Sequence, residues 1–296
     1  MSLKALLIPR LNQPPRRSIV SEEAIGTAIP RIIHQTFYDR DLPPELQAST
    51  EALRARNPGW EYRFYDDADI VEFIRTAYGA PMLAVYERID KRYGATRADL
   101  FRYLLMYKVG GVYLDIKSSA TLPLDSVLRA DDRYLLSTWG DTEGPSATWG
   151  RHYDLDGIPG GEFQQWFIAC APGHPYLKAV IDTVIANLGL YDPSLHGVGK
   201  NGALRTAGPI PYTLAIHRIV DQHPHRRADF KTELGFEYNV YRDQSHQTTF
   251  RSHYSTQTAS IVRLTPVKQG LNLVYGVLQY VHDRRMANQR RGPSAQ

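Results

Sequence analysis

The sequence predicts an α/β fold in which a mostly parallel central sheet is flanked by helices. Apolar strand-like runs alternate with helical patterns over the first 120 residues in the order β-α-β-α, the order that feeds a parallel sheet. The stretch from Thr96 to Ser119, T-R-A-D-L-F-R-Y-L-L-M-Y-K-V-G-G-V-Y-L-D-I-K-S-S, reads as a helix, a glycine turn and a buried strand. The 296 residues contain nothing that looks like a linker between two cores, so a single domain with helical additions is expected. Its boundaries are read as an irregular arm over 1–28, the main domain over 29–270 and a C-terminal helix with a basic tail over 271–296.

Hydrophobic content of 43% and charged content of 22% belong to an ordinary soluble domain. The one cysteine, Cys170, excludes an internal disulfide, and its F-I-A-C-A setting is that of a buried structural thiol. No run of about 18 apolar residues is present and the apolar part of M-S-L-K-A-L-L-I-P-R is too short for a signal peptide, so a cytoplasmic protein is expected. A net charge of +4 raises the question of nucleic acid, but the 19 tyrosines are scattered and no recognition helix or RNA-binding signature occurs. A diphosphate-bearing substrate or an anionic membrane surface accounts for the excess equally well.

In chain order, Lys4, Arg10, Arg16 and Arg17 precede any acid and Pro9, Pro14 and Pro15 interrupt structure, which gives the irregular arm. Ile29 to Phe37 reads as the first strand. It ends in His34, Gln35 and Thr36, where an open α/β sheet presents its ligand crevice; a strand end feeding a loop is the alternative. Leu42 to Arg56 is helical from P-P-E-L, with prolines tolerated in the first turn, and stops before Asn57-Pro58-Gly59. Glu61 to Tyr65 alternates as a second strand. Asp66-Asp67 then caps a helix through Ile70, Phe73 and Ile74, and Met82 to Tyr93 forms another.

Within the central stretch, Leu100, Phe101, Leu104 and Leu105 share one helical face, and Asp99 and Arg102 emerge side by side three residues apart. Gly110-Gly111 ends the helix where a left-handed backbone is cheapest. Val112, Leu114 and Ile116 then alternate with Tyr113, Asp115 and Lys117, which places four charges near one another. Two simpler explanations stand beside a functional one. Thr96 and Asp99 fit a capping box, and Asp115 and Lys117, roughly 6 to 7 Å apart on one strand face, fit a solvated ion pair.

Further on, Arg133 to Thr138 reads as a strand, Gln164 to Ala171 as another and Pro175 to Leu188 as a helix. Between them, 139–161 is a long Gly-, Asp- and aromatic-rich loop in which Trp139, Trp149 and Tyr153 could stack on sugar faces or simply pack over a core edge. His196 to Pro211 is glycine-rich but lacks a P-loop, since Lys200 is followed by Asn201. Pro211 to Gln222 is helical. No zinc-type spacing joins His246 and His253. Leu271 to Arg291 is a helix with Leu271, Val274, Leu278 and Val281 on one face and Arg284, Arg285, Arg290 and Arg291 at its end. A packing helix with a basic tail, or an in-plane membrane contact, would both suit it.

The run A-D-L-F-R-Y from Ala98 to Tyr103 followed by G-G-V-Y-L-D-I-K from Gly110 to Lys117 resembles the donor-sugar segment of the DXD-containing glycosyltransferases of family 32. That group includes fungal initiating mannosyltransferases and bacterial capsule and polysaccharide synthesis enzymes, and is related in motif to glucosylating clostridial toxins. The likeness extends to I-P-R-I-I-H-Q-T-F, to N-P-G-W-E-Y and, more faintly, to W-F-I-A-C-A-P-G-H-P; R-T-A-G-P is similar to a turn after the donor site. It implies a GT-A fold and transfer, with retention, of a hexose from UDP- or GDP-sugar to a glycan or lipid-linked acceptor. On that resemblance Asp115 would bind a divalent cation, Mn2+ or Mg2+, with His253 as its partner and His246 as second choice. Asp99 would hold donor hydroxyls and Arg102 would clamp sugar or phosphate; the charge of Lys117 would either turn toward phosphate or solvent beside a metal on Asp115 or partly replace that metal, and His34, Gln35 and Thr36, by their place at the strand end, would meet base or ribose. Trp139, Trp149 and Tyr153 would form the acceptor loop. Lys117 stands where the family carries its second acid, which keeps open an accessory nucleotide-sugar-binding protein without transfer activity.

Overall fold

The computed structural model describes residues 8–14, 17–140, 148–241 and 257–290. Its centre is a four-stranded sheet of order β2-β1-β3-β6, formed by β1 (Ile32–Thr36), β2 (Glu61–Tyr65), β3 (Gly111–Leu114) and β6 (Phe167–Cys170). β1 runs parallel to both neighbours, with Ile33 opposite Tyr62 and Val112, whereas β6 pairs antiparallel to β3 with Phe167 opposite Leu114. The expected α/β, mostly parallel architecture is therefore the observed one. Short two-residue strands β4 (Ser119–Ala120), β5 (Leu135–Leu136), β7 (Arg226–Arg227) and β8 (Phe236–Glu237) make two small ladders, β4 with β8 and β5 with β7.

Strand alternation sorts the side chains into two cores. Tyr113, Ile168 and Cys170 face helices α3 (Gly94–Val109) and α5 (Pro175–Leu190). Val112, Leu114, Phe167 and Ala169 face the opposite side, with Leu53 of α1 (Pro44–Arg56), Leu124 of the short α4 (Leu124–Val127) and Phe236. Asp66 caps α2 (Asp67–Glu87) in a full capping box with Asp69, as the acidic pair predicts. α2 merges the two helices expected there and breaks at Gly79, whose φ is 80°, two residues before Pro81.

One inward face was expected of α3. Instead every residue from Asp99 to Tyr107 is buried, because α3 packs at once against β3, α2, α5 and α7 (Gly199–Thr206). The turn into β3 needs its glycines: Gly111 has φ 103°, and a Cβ there would lie 2.6 Å from the Ile32 carbonyl oxygen. The arm has no regular element among its described residues, yet it is tied down, with Asn12 bonded to Asn187 and Ser18 to Asp182.

The chain from Pro193 onward is more helical than its glycines suggest. α6 (Pro193–His196), α7 and α8 (Pro209–His217) cover the glycine-rich stretch. The last helix, α9 (Pro266–Arg290), starts at Pro266, ahead of the expected Leu271. Leu271, Val274, Leu278 and Val281 are exposed, which corrects the packing-helix expectation: the helix docks by another side. No helix among the described residues is long and apolar enough to cross a membrane.

Candidate functional site

The hairpin from α3 through Gly110-Gly111 into β3 carries Asp99 and Arg102 back over Tyr113 and Asp115. Arg102 Nη2 lies 3.0 Å from Asp99 Oδ1 and Nη1 lies 2.9 Å from Asp115 Oδ1. Nη1 also donates to the Gln165 carbonyl at 2.8 Å, and the guanidinium carbon sits 4.9 Å from the Tyr113 ring centre. Tyr113 donates its hydroxyl proton to Asp115 Oδ1 at 3.3 Å. The Arg102 side chain is 4% exposed and Asp115 23%, so of the three charged groups it is Asp115 that reaches solvent.

Burial pushes the Asp99 carboxyl up to about 7, a rise that the Arg102 guanidinium partly offsets and the Asp115 charge reinforces. Burial works against the charge of Arg102, but the Asp115 carboxylate and its neighbours outweigh it and hold the guanidinium above its usual range. One buried cation thus stands between a carboxyl close to neutrality and a carboxylate at the surface.

The two simpler explanations fail on geometry. α3 begins at Gly94 with Tyr93 at the N-cap, so Thr96 and Asp99 lie inside the helix; the Thr96 hydroxyl has no partner among the described residues and Asp99 pairs with Arg102. The strand ends at Leu114 and the chain turns, with Ser118 N–H donating to the Asp115 carbonyl. Lys117 is swung away from Asp115: its Nζ lies 3.0 Å from the Tyr238 hydroxyl and 4.1 Å from that ring's centre. It leaves the strand face that simple alternation predicts.

His34, Gln35 and Thr36 sit beneath the site rather than open to it. His34 Nε2 donates to the Gly110 carbonyl at 3.0 Å and Nδ1 accepts from Tyr65 at 3.1 Å, while burial lowers the imidazole pKa to about 4 and keeps it neutral. Gln35 Nε2 donates to the Asp115 and Ser118 carbonyls, and its Oε1 accepts from Thr50 and Tyr62. Thr36 donates to the Tyr65 carbonyl at 2.8 Å. Gln35 thus supports the Asp115 turn and His34 the Gly110 turn, and the side-chain polar groups expected to meet base or ribose are engaged within the protein.

The aromatic loop reaches the same place from the other side. Trp139 and Trp149 lie edge-to-face, ring centres 4.9 Å apart, and both contact Tyr238, the ring under Lys117. Glu162 ties this wall together, accepting from Trp139 Nε1 at 2.6 Å and standing 2.7 Å from His152 Nε2. Trp149 is 47% exposed; Tyr153, at 86%, stands apart in the solvent. His246 and His253 lie outside the described residues.

Sequence reasoning missed Gln165, Glu162 and Tyr238. Gln165 meets Arg102 through its backbone carbonyl and Tyr103 and Asp99 through its side-chain amide, contacts between distant segments that no local pattern announces, and Tyr238 meets Lys117 across 121 residues. Flanking Gln165, both polar atoms of Gln164 and Trp166 Nε1 are buried with no hydrogen-bond partner among the described residues. Two clefts, of about 260 Å³ beside Ser137, Thr138 and Arg227 and about 400 Å³ beside Arg54, Trp60 and Tyr62, are lined by none of Asp99, Arg102 and Asp115. Hollow volume and convergent chemistry disagree here, and the charged cluster is the better guide because burying its charges is costly unless they are needed.

Residues 43–134, which hold Asp99, Arg102 and Asp115, match the family model of the glycosyltransferase sugar-binding region containing a DXD motif. The chain is also similar to inositol phosphoceramide mannosyltransferase 3 of Schizosaccharomyces pombe, 30% identical over 156 residues, 53% of this chain and 37% of that protein. The initiation-specific alpha-1,6-mannosyltransferase of the same yeast is 25% identical over 213 residues, 68% of this chain and 51% of that protein. The chain thus spans from about a third to about half of the length of these curated relatives. Among solved structures, the PaToxG glycosyltransferase aligns at a TM-score of 0.49 and 16% identity, covering 83% of this chain and 85% of that one.

Among the described residues no group of three or more His, Cys, Asp or Glu side chains could hold a metal ion. What is present is one half-open carboxylate, Asp115, with the neighbouring Lys117 ammonium turned onto Tyr238. A single carboxylate suits Mg2+ or Mn2+ where substrate phosphate oxygens and water supply the other ligands.

Proposed function

We propose that the protein transfers a hexose, with retention at the anomeric carbon, from UDP- or GDP-sugar to a hydroxyl of a glycan or lipid-linked acceptor. The observation that carries the reading is the Asp99–Arg102–Asp115 cluster inside the sugar-binding segment, buried on one side and opening to solvent at Asp115. Arg102 spends most of its planar fork on Asp99, Asp115 and the Gln165 carbonyl. It therefore orients the two acids and Gln165 rather than gripping the donor itself.

Asp99, close to neutrality when buried, is suited to hydrogen-bond sugar hydroxyls as donor or acceptor. The unpartnered amide of Gln164 and the Trp166 indole N–H are further groups that a polyhydroxy ligand could satisfy. When bound at Asp115 together with the diphosphate, a divalent cation supplies positive charge against the charge developing on the leaving group. Lys117 Nζ, held over Tyr238, adds a fixed positive charge on the side of Trp139 and Trp149. Those two indoles offer apolar faces to an acceptor sugar or to the stem of a lipid-linked one.

A second reading is favoured by Lys117 itself: with an ammonium in place of an acid, the protein would bind nucleotide sugar without transferring it. A thermal-shift panel of UDP- and GDP-hexoses with and without Mn2+ tests the first step. The proposal expects one donor to raise the melting temperature by several degrees at saturating concentration, with Mn2+ enhancing it. No shift with any nucleotide sugar contradicts both readings, whereas a shift without transfer or donor hydrolysis under any metal leaves only the accessory one.

A further inference from the structure

α9 is an amphipathic helix docked the wrong way round for a packing element. Its polar side meets the protein: Asn272 Oδ1 accepts from Ser194, Lys268 Nζ donates to the Gly189 and Tyr191 carbonyls, and Gly276 lies close to Ser194. Its apolar side faces solvent. Leu271, Leu273, Val274, Val277, Leu278 and Val281 are all more than two-fifths exposed, and at 3.6 residues per turn they span about 160° of the circumference. Leaving so many aliphatic side chains in water costs free energy that a soluble packing helix would avoid by turning over.

Charge says what covers this face. Of the 35 Lys and Arg, five lie between 266 and 291, together with one of the 31 Asp and Glu, leaving 30 of each sign in the rest of the chain. The net charge of +4 is therefore the charge of this one segment. Four of its cations, Arg284, Arg285, Arg290 and Arg291, gather at its C-terminal end, with the Arg284 guanidinium 5.2 Å from the Tyr280 ring centre. A second copy would bring the same unbalanced positive charge to the contact. An anionic lipid surface complements it.

We infer that α9 lies in the plane of an anionic bilayer leaflet, its aliphatic arc in the boundary between headgroups and acyl chains and its arginines among lipid phosphates. At 25 residues the helix is about 37 Å long, enough to fix the orientation of the domain on the surface. This docking is independent of the reaction and needs no substrate.

The full chain is mixed with vesicles of phosphatidylcholine containing about 30 mol% phosphatidylglycerol, and with vesicles of phosphatidylcholine alone, and sedimented. The protein should pellet with the anionic vesicles, and roughly 0.5 M salt should release most of it because the Debye length falls to a few ångströms. Val277→Glu with Leu278→Glu should lower the partition coefficient on the order of tenfold or more without changing the melting temperature, since both side chains already face solvent. Arg284→Gln with Arg285→Gln should lower it roughly 30-fold on anionic vesicles only. Absence of binding to either vesicle, or equal binding to both, overturns the inference. A concentration-dependent dimer in ultracentrifugation that Val277→Glu dissolves overturns it in favour of a second copy.

Discussion

Replacing Arg102 by methionine keeps much of the side-chain volume and removes the cation between two acids. Asp99 is then left in a buried place with no opposite charge, since Arg102 Nη2 at 3.0 Å is its ion-pair partner. Breaking a buried pair on one side costs about 3 to 5 kcal/mol, but a carboxyl can escape part of that by taking a proton. In the intact protein burial already lifts Asp99 to about 7, against roughly 4 when unfolded, so the native state holds the extra proton and stability falls as pH rises between those values. Without Arg102 the folded value moves higher, and the loss continues above pH 7 at about 1.4 kcal/mol per pH unit. Urea titrations at pH 6 and pH 8 should therefore show the variant's deficit growing by about 1 to 1.5 kcal/mol, and Asp99→Asn in the same background should abolish that growth. A deficit below about 1 kcal/mol, or one independent of pH, would refute the buried-pair account.

Two further predictions concern the buried histidines His34, beneath the site, and His174, at the N-cap of α5, and the turn into β3. His34 and His174 are each lowered to about 4 by burial, so both are neutral when folded and take up protons when unfolded below about 6.5; their contribution is complete above that pH and lost as pH falls toward 4. His174→Gln should accordingly flatten the acid limb of the urea-midpoint profile by about 3 kcal/mol, and an unaltered limb would count against it. Gly111→Ala forces a Cβ to 2.6 Å from the Ile32 oxygen at a φ of 103° and should cost more than about 3 kcal/mol in thermal or urea unfolding. Gly94→Ala, where nothing lies within 4 Å, should be neutral or stabilising, and equal effects at the two positions would contradict the turn geometry.

What could be read from the residues was local. Strands β1, β2 and β3 and helix α3 follow from periods of 2 and 3.6, and the i,i+3 spacing of Asp99 and Arg102 with the glycine turn puts both near Asp115. Contacts between distant segments were not legible. Lys117 looks like a strand neighbour of Asp115 until Tyr238 captures it, and His34 and Gln35 look like crevice groups until Gly110, Tyr65, Thr50 and Tyr62 occupy their polar atoms. α9 teaches the same lesson on a larger scale: an amphipathic stripe states that one side is apolar, while which side meets the protein depends on Ser194 and on the carbonyls at Gly189 and Tyr191.

The role of Asp115 is the centre of the account, because its half-open carboxylate is where the charged cluster meets solvent. Asp115→Asn preserves the size of the side chain and its hydrogen bonding to Arg102 while removing the charge, so the fold should survive. With the donor identified by thermal shift, nucleotide-sugar hydrolysis or transfer by the variant should fall by about a hundredfold or more, about 3 kcal/mol of transition-state stabilisation, while the protein stays folded with a lowered melting temperature because Arg102 loses one of its two counter-charges. Full activity in a folded Asp115→Asn protein would contradict the assignment of the site.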